Sequence, residues 1–250
     1  MSVQKFTRAD GETIAYLKRT GKSPEVVWLG GFKSDMNGTK AQALDIWALE
    51  RGRAYLRFDY YGHGASSGDF RKGTISRWRD DALAMLDSLC DGRCVLVGSS
   101  MGAWIALLVA RLRPQRIAAL LLLAPAVDFS EALMWERMTP EIRSEVMEKG
   151  EWQRPSAYGN DTYPITRGFI EDGRRNLLLG TPIGIDCPVH ILQGMKDPDV
   201  PWQHALRLVE QLSGNPTLTL VKEGDHRLST PADLRRIEAA LDTIFAELAL

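Results

Sequence analysis

The sequence predicts an α/β protein: a mostly parallel sheet of eight strands with helices on both faces and a helical cap inserted after the sixth strand. Three observations lead there. Apolar runs rich in Val, Ile and Leu alternate with helical patterns, the rhythm of a parallel sheet covered on both sides. One of these runs, Cys94–Val97, feeds directly into Gly98-Ser99-Ser100-Met101-Gly102, and a helical pattern from Ala103 to Arg113 follows at once. The rhythm then breaks between Asp128 and Thr181, a long connection of the kind that forms lids and binding loops.

Strands are expected near residues 3–8, 13–20, 25–30, 53–58, 93–98, 116–124, 188–194 and 217–223. Asp10-Gly11-Glu12 is a hairpin signal, so the first two strands should pair antiparallel at one edge. Helices are expected near 38–51, 76–90, 101–112, 201–212 and 231–248, the last opened by Thr230-Pro231 with proline in its first turn. Short helices fit 130–137, 139–149 and 164–175. The expected organisation is one compact domain, residues 1–127 and 181–250 forming the core and 128–180 a cap over the carboxyl ends of the strands. Met134, Trp135, Met138, Met147, Trp152, Tyr158, Tyr163 and Phe169 give that cap its apolar character. Trp135, Met138 and Trp152 are candidate substrate-binding residues, lining an apolar pocket to which a flexible methionine can adapt. The competing reading is that they bind cap to core.

Composition narrows the functional classes. The 250 residues suit one substantial domain, and 44% hydrophobic with 25% charged residues is ordinary for a globular protein. A formal charge of −1, with acids and bases intermixed, offers no field to attract nucleic acid or an anionic membrane. The basic run Arg71–Arg79 is followed by Asp80 and Asp81 and reads as a solvated helix start. Cys90, Cys94 and Cys187 form no CxxC pair, and no His/Cys cluster supplies zinc ligands, so free thiols in a reducing compartment are expected and no metal. The chain opens on strand-like residues without a charged-then-apolar leader, and its longest apolar stretch, Ile117–Val127, is too short to span a membrane. A soluble cytoplasmic protein is the expectation, with no membrane span and no nucleic-acid partner. The sequence leaves the oligomeric state open.

The chemistry begins at Ser100. A G-x-S-x-G pentapeptide between a strand and a helix makes a turn so tight that Gly98 and Gly102 must lack side chains, and it exposes the serine hydroxyl above the strand ends. A hydroxyl needs a base to take its proton and an acid to orient that base, and on this architecture the order along the chain is Ser, Asp/Glu, His. Four histidines are available. His63 precedes the serine; His190 lies inside the apolar run Pro188–Leu192; His204 falls in a helical stretch. His226, in Glu223-Gly224-Asp225-His226-Arg227 directly after the last strand, is at a strand's carboxyl end, where catalytic groups of open α/β sheets gather. His226 is the candidate base. The acid has three candidates: Asp197 and Asp199 after the strand ending near 194, and Asp128 after the strand ending near 124. Asp199 and Asp225 also fit a plain role as turn formers. The backbone N–H of Met101, at a helix N-terminus, and that of Phe32, in the turn Gly30-Gly31-Phe32-Lys33-Ser34, are candidate oxyanion donors. A phosphate-binding loop at 30–40 is excluded by spacing, since no G-x-x-x-x-G-K-[ST] occurs.

Taken together these elements resemble the α/β-hydrolase superfamily. Within it the chain is similar to the mitochondrial S-depalmitoylase and acyl-glucuronide esterase group of mammals. The resemblance runs collinearly over roughly residues 25–250 and rests on Gly30–Gly38, Arg57-Phe58-Asp59-Tyr60, Trp78-Arg79, Gly98–Gly102, Lys149-Gly150-Glu151-Trp152, Cys187-Pro188, Gly194–Trp202 and Asp225-His226-Arg227. The spacing G-x-x-D-x-x-V-P, usual in the superfamily, selects Asp197 as the acid. Related enzymes commonly carry His-Gly where this chain has Gly30-Gly31, a departure that leaves Phe32 as donor by position. The resemblance implies the α/β-hydrolase fold and an ester or thioester hydrolase with Ser100, Asp197 and His226 as its triad. Its substrate would be a small-molecule or protein-linked acyl ester or thioester, and it would need no cofactor. Rival readings are a peptidase or lactonase on the same machinery, or an inactive module binding an apolar ligand.

Overall fold

The computed structural model describes residues 2–155 and 162–248. The main sheet has eight strands: β1 (Gln4–Thr7), β2 (Thr13–Arg19), β3 (Lys22–Leu29), β4 (Arg53–Phe58), β5 (Cys94–Ser99), β6 (Ile117–Leu123), β9 (Val189–Gly194) and β10 (Thr217–Val221), in the order β1-β2-β4-β3-β5-β6-β9-β10. The pairs β1–β2 and β2–β4 are antiparallel, and every pair from β4 to β10 is parallel. The central strands are buried on both faces, which is why they read as unbroken apolar runs: all seven residues of β6 are buried.

Alternate residues of each strand face opposite layers. Val26, Trp28, Val95, Val97, Leu121 and Leu123 pack against α1 (Thr39–Glu50) and α7 (Pro231–Glu247) through Leu44, Trp47, Ile237, Leu241 and Phe245. Val27, Leu29, Leu96, Leu120 and Leu122 pack on the other face with α2 (Ile75–Leu89), α3 (Met101–Leu112) and α6 (Trp202–Gln211). The sheet's centre also covers α3, whose residues Met101–Ala110 are all buried. Helix α7 begins as its sequence suggests: Thr230 Oγ1 accepts the Asp233 N–H, Asp233 reaches back to Thr230, and Pro231 occupies the first turn.

Between β6 and β9 the expectation of helices alone is corrected. Residues 130–134 form a π-helical turn and 135–137 a 3-10 turn, followed by α4 (Pro140–Lys149). Next comes an antiparallel hairpin, β7 (Glu151–Pro155) with β8 (Thr162–Thr166), so the expected helix at 164–175 begins only at α5 (Arg167–Arg174). The reason is in the residues: Trp152, Thr162, Tyr163, Ile165 and Thr166 favour extended backbone, and Pro155 and Pro164 are tolerated in a two-stranded ribbon, where each strand has a free edge. Tyr158 lies outside the described residues.

A second correction concerns Asp81. It is fully buried rather than solvated, bonded to Arg8 and accepting the Tyr61 N–H at 2.8 Å, with Arg77 Nε at 3.4 Å. This ties α2 to β1 and to the turn after β4. Cys90 and Cys94 are buried, Cys187 is half-buried, and all three are free.

Candidate active site

The carboxyl ends of β3, β5, β6, β9 and β10 bring the site together. β5 must turn into α3 within one residue, and Ser100 makes that turn at φ 55°, ψ −116°. A side chain in this region carries strain on the order of 1–3 kcal/mol. Three backbone bonds hold it: the Ser100 N–H donates to the Leu123 carbonyl at 2.9 Å, and the Ser100 carbonyl accepts the N–H groups of Ala103 at 3.0 Å and Ala126 at 3.2 Å. A Cβ on Gly98 would lie 2.4 Å from the Gly102 carbonyl oxygen, and one on Gly102 would lie 2.0 Å from that of Leu29. Any side chain at either position would push strand and helix apart.

His226 stands between Ser100 and Asp197. Ser100 Oγ lies 3.0 Å from His226 Nε2, and His226 Nδ1 lies 2.7 Å from Asp197 Oδ2. The Asp197 side chain is shielded from solvent and accepts four N–H groups. Oδ1 takes those of Asp199 (2.9 Å) and Val200 (2.8 Å); Oδ2 takes those of His226 and of the Gln193 side-chain amide (3.2 Å). The His226 loop is fixed on both sides. Leu228 donates its N–H to Asp225 Oδ1 at 2.9 Å, Lys196 donates its N–H to the Gly224 carbonyl at 2.9 Å, and Lys40 Nζ donates to the Arg227 carbonyl. Burial lowers the Lys40 pKa to about 8. Asp197, Asp199 and His226 also offer ligand atoms within 4.8 Å of one another. In this arrangement every Asp197 lone pair faces an N–H donor.

The turn after β3 closes the site from the other side. A Cβ on Gly31 would lie 3.5 Å from Ser100 Cβ, which puts the turn directly beside the hydroxyl. Among the described residues the N–H groups of Phe32 and Met101 have no hydrogen-bond acceptor. The Phe32 ring is enclosed by those of Phe70, Trp78, Phe129, Tyr163 and Phe169 at centroid distances of 5.1–5.8 Å. A cleft of about 350 Å³ opens beside this turn, lined by Lys33, Ser34, His63, Phe70, Arg71 and Pro164 among others.

The remaining candidates have other partners. Asp128, the alternative acid, is buried and accepts the N–H groups of Leu178 and Leu179 at 2.8–2.9 Å, pinning the chain that returns from the inserted segment. His190 pairs with Glu247 at 2.9 Å, and His204, in α6, donates to the Val127 carbonyl at 2.7 Å. His63 is buried beside the turn after β3. The Trp135 ring has the guanidinium groups of Arg143 and Arg174 at 5.4 and 4.6 Å from its centroid, Met138 is buried in the main core, and Trp152 packs on that core. Sequence reasoning missed Gln193, Asp59 and His63. Asp59 accepts the N–H groups of Met36 (2.6 Å) and Ala65 (2.8 Å), and Arg57 donates to the Met36 carbonyl (2.7 Å), so the Arg57-Phe58-Asp59 run holds the turn after β3. Burial raises the Asp59 pKa. The available signal was the pair of charged residues Arg57 and Asp59 flanking Phe58 at the buried carboxyl end of β4.

A strand–serine–helix turn at the centre of a mostly parallel sheet, with His and Asp from later strand ends in hydrogen-bond sequence, defines an α/β hydrolase. The chain belongs to the serine aminopeptidase S33 family, whose description matches residues 25–163. It is 37% identical over 249 residues to the mitochondrial palmitoyl-protein thioesterase ABHD10 of Pongo abelii, and 36% identical to that of Homo sapiens. Each match covers 99% of this chain and 81% of the relative. Among solved structures it is similar to a protein from Agrobacterium vitis S4 (44% identity, TM-score 0.93, 97% of this chain and 98% of that one). It is also similar to mouse alpha/beta hydrolase domain-containing protein 10 (35% identity, TM-score 0.92, 99% and 100%). Among the described residues no helix is long and apolar enough to cross a membrane.

Proposed function

We propose that this protein is a serine hydrolase cleaving carboxylic ester or thioester bonds through an acyl-enzyme. The observation that carries the reading is His226 standing 3.0 Å from Ser100 Oγ on one side and 2.7 Å from Asp197 Oδ2 on the other. Ser100 Oγ attacks the carbonyl carbon while its proton passes to His226 Nε2. The N–H groups of Met101 and Phe32 stabilise the oxygen as it gains charge. Collapse breaks the C–O or C–S bond, and His226 returns the proton to the departing alcohol or thiol. Water then gives a proton to His226, attacks the acyl carbon, and releases the acid with Ser100 reprotonated. Asp197 holds the imidazole tautomer and stabilises its cation. No step uses a metal or an organic cofactor.

We assign residues 128–180 the role of a cap over a core of 1–127 and 181–250, with Trp135, Met138 and Trp152 shaping an acyl pocket. The substrate is a small-molecule or protein-linked acyl ester or thioester. The thioesterase names of the full-length relatives support the thioester, and the aminopeptidase description of the family supports an amide as the rival. The location is proposed as cytoplasmic; the relatives' names carry the word mitochondrial, and fractionation of the native host distinguishes the two.

The test is a series of p-nitrophenyl esters, acyl thioesters and matched anilides of increasing chain length, run with Ser100→Ala and with a fluorophosphonate probe. The wild type should label at Ser100 and cleave esters and thioesters faster than anilides. Ser100→Ala should fold, fail to label and lose nearly all turnover. Undiminished turnover in Ser100→Ala would exclude this nucleophile, and a folded wild type that neither labels nor turns over any substrate would favour a binding module.

A further inference from the structure

We propose that His63 is a positioning residue of this hydrolase: its imidazole acts as a hydrogen-bond acceptor that holds the turn carrying the Phe32 oxyanion donor. The proposal rests on the reading of Ser100, Asp197 and His226 given above and assigns a use to the one buried histidine beside that site.

Two peptide units decide where the Phe32 N–H points. It belongs to the Gly31–Phe32 peptide, whose carbonyl accepts the Ser34 N–H at 3.2 Å inside the turn. In a trans peptide the N–H points opposite to its C=O, so this bond turns the Phe32 N–H outward. The next peptide, Phe32–Lys33, is fixed by its own N–H, which donates to His63 Nε2 at 3.1 Å. Lys33 itself sits at φ 57°, a left-handed conformation that a lysine adopts only when something holds it there. The Phe32 ring is locked by five neighbouring rings. With ring and following peptide both held, the Phe32 nitrogen has little freedom, and the His63 bond is what fixes that following peptide.

His63 is built for this task. Its Nδ1 lies 3.1 Å from the Tyr61 carbonyl, and its ring meets those of Tyr60, Phe70 and Trp78 edge-on at 5.1–5.9 Å. A nitrogen facing a carbonyl carries the proton, and one facing an N–H presents its lone pair. The neutral Nδ1–H tautomer therefore satisfies both contacts at once. Burial and the nearby Lys33 ammonium keep the ring neutral, lowering its pKa to about 4. Replacing the ring by phenyl orphans one group only, the Lys33 N–H, because the Tyr61 carbonyl keeps the Trp78 indole N–H at 3.0 Å.

The experiment compares wild type with His63→Phe, which keeps the aromatic packing and removes the acceptor, and His63→Gln, whose Oε1 can reach the Nε2 position. Each is assayed on an ester or thioester that the wild type cleaves. Each is also titrated with two inhibitors bearing the same acyl chain: a trifluoromethyl ketone, which adds Ser100 Oγ to form a tetrahedral oxyanion, and a thioether with no carbonyl. For His63→Phe the expectation is a roughly ten- to hundred-fold loss in kcat with KM within about twofold, since small displacements at a reacting centre cost that much. Ketone affinity should fall by the same factor and thioether affinity should hold, while His63→Gln should recover most of the loss. Should His63→Phe fail to fold, His63→Asn, whose amide reaches only the Nδ1 position, takes its place against His63→Gln. Unchanged kcat in the variant lacking the acceptor, parallel loss of ketone and thioether affinity, or equal impairment in the Gln variant would overturn the inference alone. A wild type that cleaves no ester or thioester would bring down the functional reading, and this inference with it.

Discussion

Asp197→Asn is the sharpest perturbation of the proposed mechanism, because the structure dictates how the new amide must lie. Asp197 Oδ1 faces two backbone N–H groups, those of Asp199 at 2.9 Å and Val200 at 2.8 Å. An NH₂ group there would meet two donors, so the asparagine oxygen takes that side. The NH₂ is then driven to the Oδ2 position, 2.7 Å from His226 Nδ1 and 3.2 Å from the Gln193 side-chain nitrogen. Now the amide donates, and His226 Nδ1 can accept only by giving up its proton. The proton moves to Nε2, which faces Ser100 Oγ and can no longer take a proton from it. A tautomer error of this kind costs about 10⁴ in kcat in a serine protease, and the same figure is expected here, about 5.5 kcal/mol of transition-state stabilisation.

The fold should survive, since the two backbone contacts persist and Gln193 keeps the Gly194 and Val200 carbonyls as acceptors at 2.9 and 3.1 Å. The assay is steady-state hydrolysis of a p-nitrophenyl ester, with a thermal melt alongside and fluorophosphonate labelling at rising pH. A folded variant that loses less than tenfold would refute the argument, because the acid would then not be setting the tautomer.

Two further outcomes follow from the same geometry. Gly102→Ala places a methyl carbon 2.0 Å from the Leu29 carbonyl oxygen and 2.7 Å from that of Gly30, so α3 must move off β3 by about an ångström; displacement and overpacking of that size should lower stability by about 1–3 kcal/mol and kcat by roughly 100-fold, read by urea unfolding and ester turnover. Stability should also depend on His63 in acid: its pKa is about 4 when folded against about 6.5 when exposed, so the unfolded chain gains a proton in that window and the native protein does not. The contribution is intact above pH 6.5 and shrinks as pH falls, by about 3 kcal/mol at pH 4. His63→Gln should flatten the wild-type decline in unfolding free energy between pH 7 and 4, and superimposable declines would contradict it.

The parts of this protein legible in its sequence are those where one residue type is the only physical solution. Two-sided burial requires continuous apolar strands, so β3, β5 and β6 announce themselves. The turn at Ser100 requires Gly98 and Gly102, and Thr230-Pro231 can open a helix. The hairpin β7–β8 did not announce itself, because a half-buried ribbon of five-residue strands tolerates Gln153, Arg154 and two prolines. Nothing local marks Asp81 as buried, because a buried carboxylate depends on partners distant in sequence, here Arg8 and the Tyr61 N–H. Gln193, Asp59 and His63 escaped for the same reason. Each acts on backbone groups of another loop, and no local pattern encodes that choice.

In the proposed mechanism those long-range contacts couple specificity to catalysis. The donors and acceptors of the site are fixed before substrate arrives: Asp197 by four N–H groups, the Ser100 backbone by Leu123 and Ala126, the turn after β3 by Asp59 and Arg57. Dipoles held this way need no reorganisation as charge develops. Three of the five rings around Phe32, those of Phe129, Tyr163 and Phe169, come from the segment between β6 and β9. The same segment is the one proposed above to sort an acyl chain by length. In the proposed mechanism the residue whose N–H serves the oxyanion therefore has its side chain set by the segment assigned to select substrate, and sequence change there is expected to act on kcat as well as on KM.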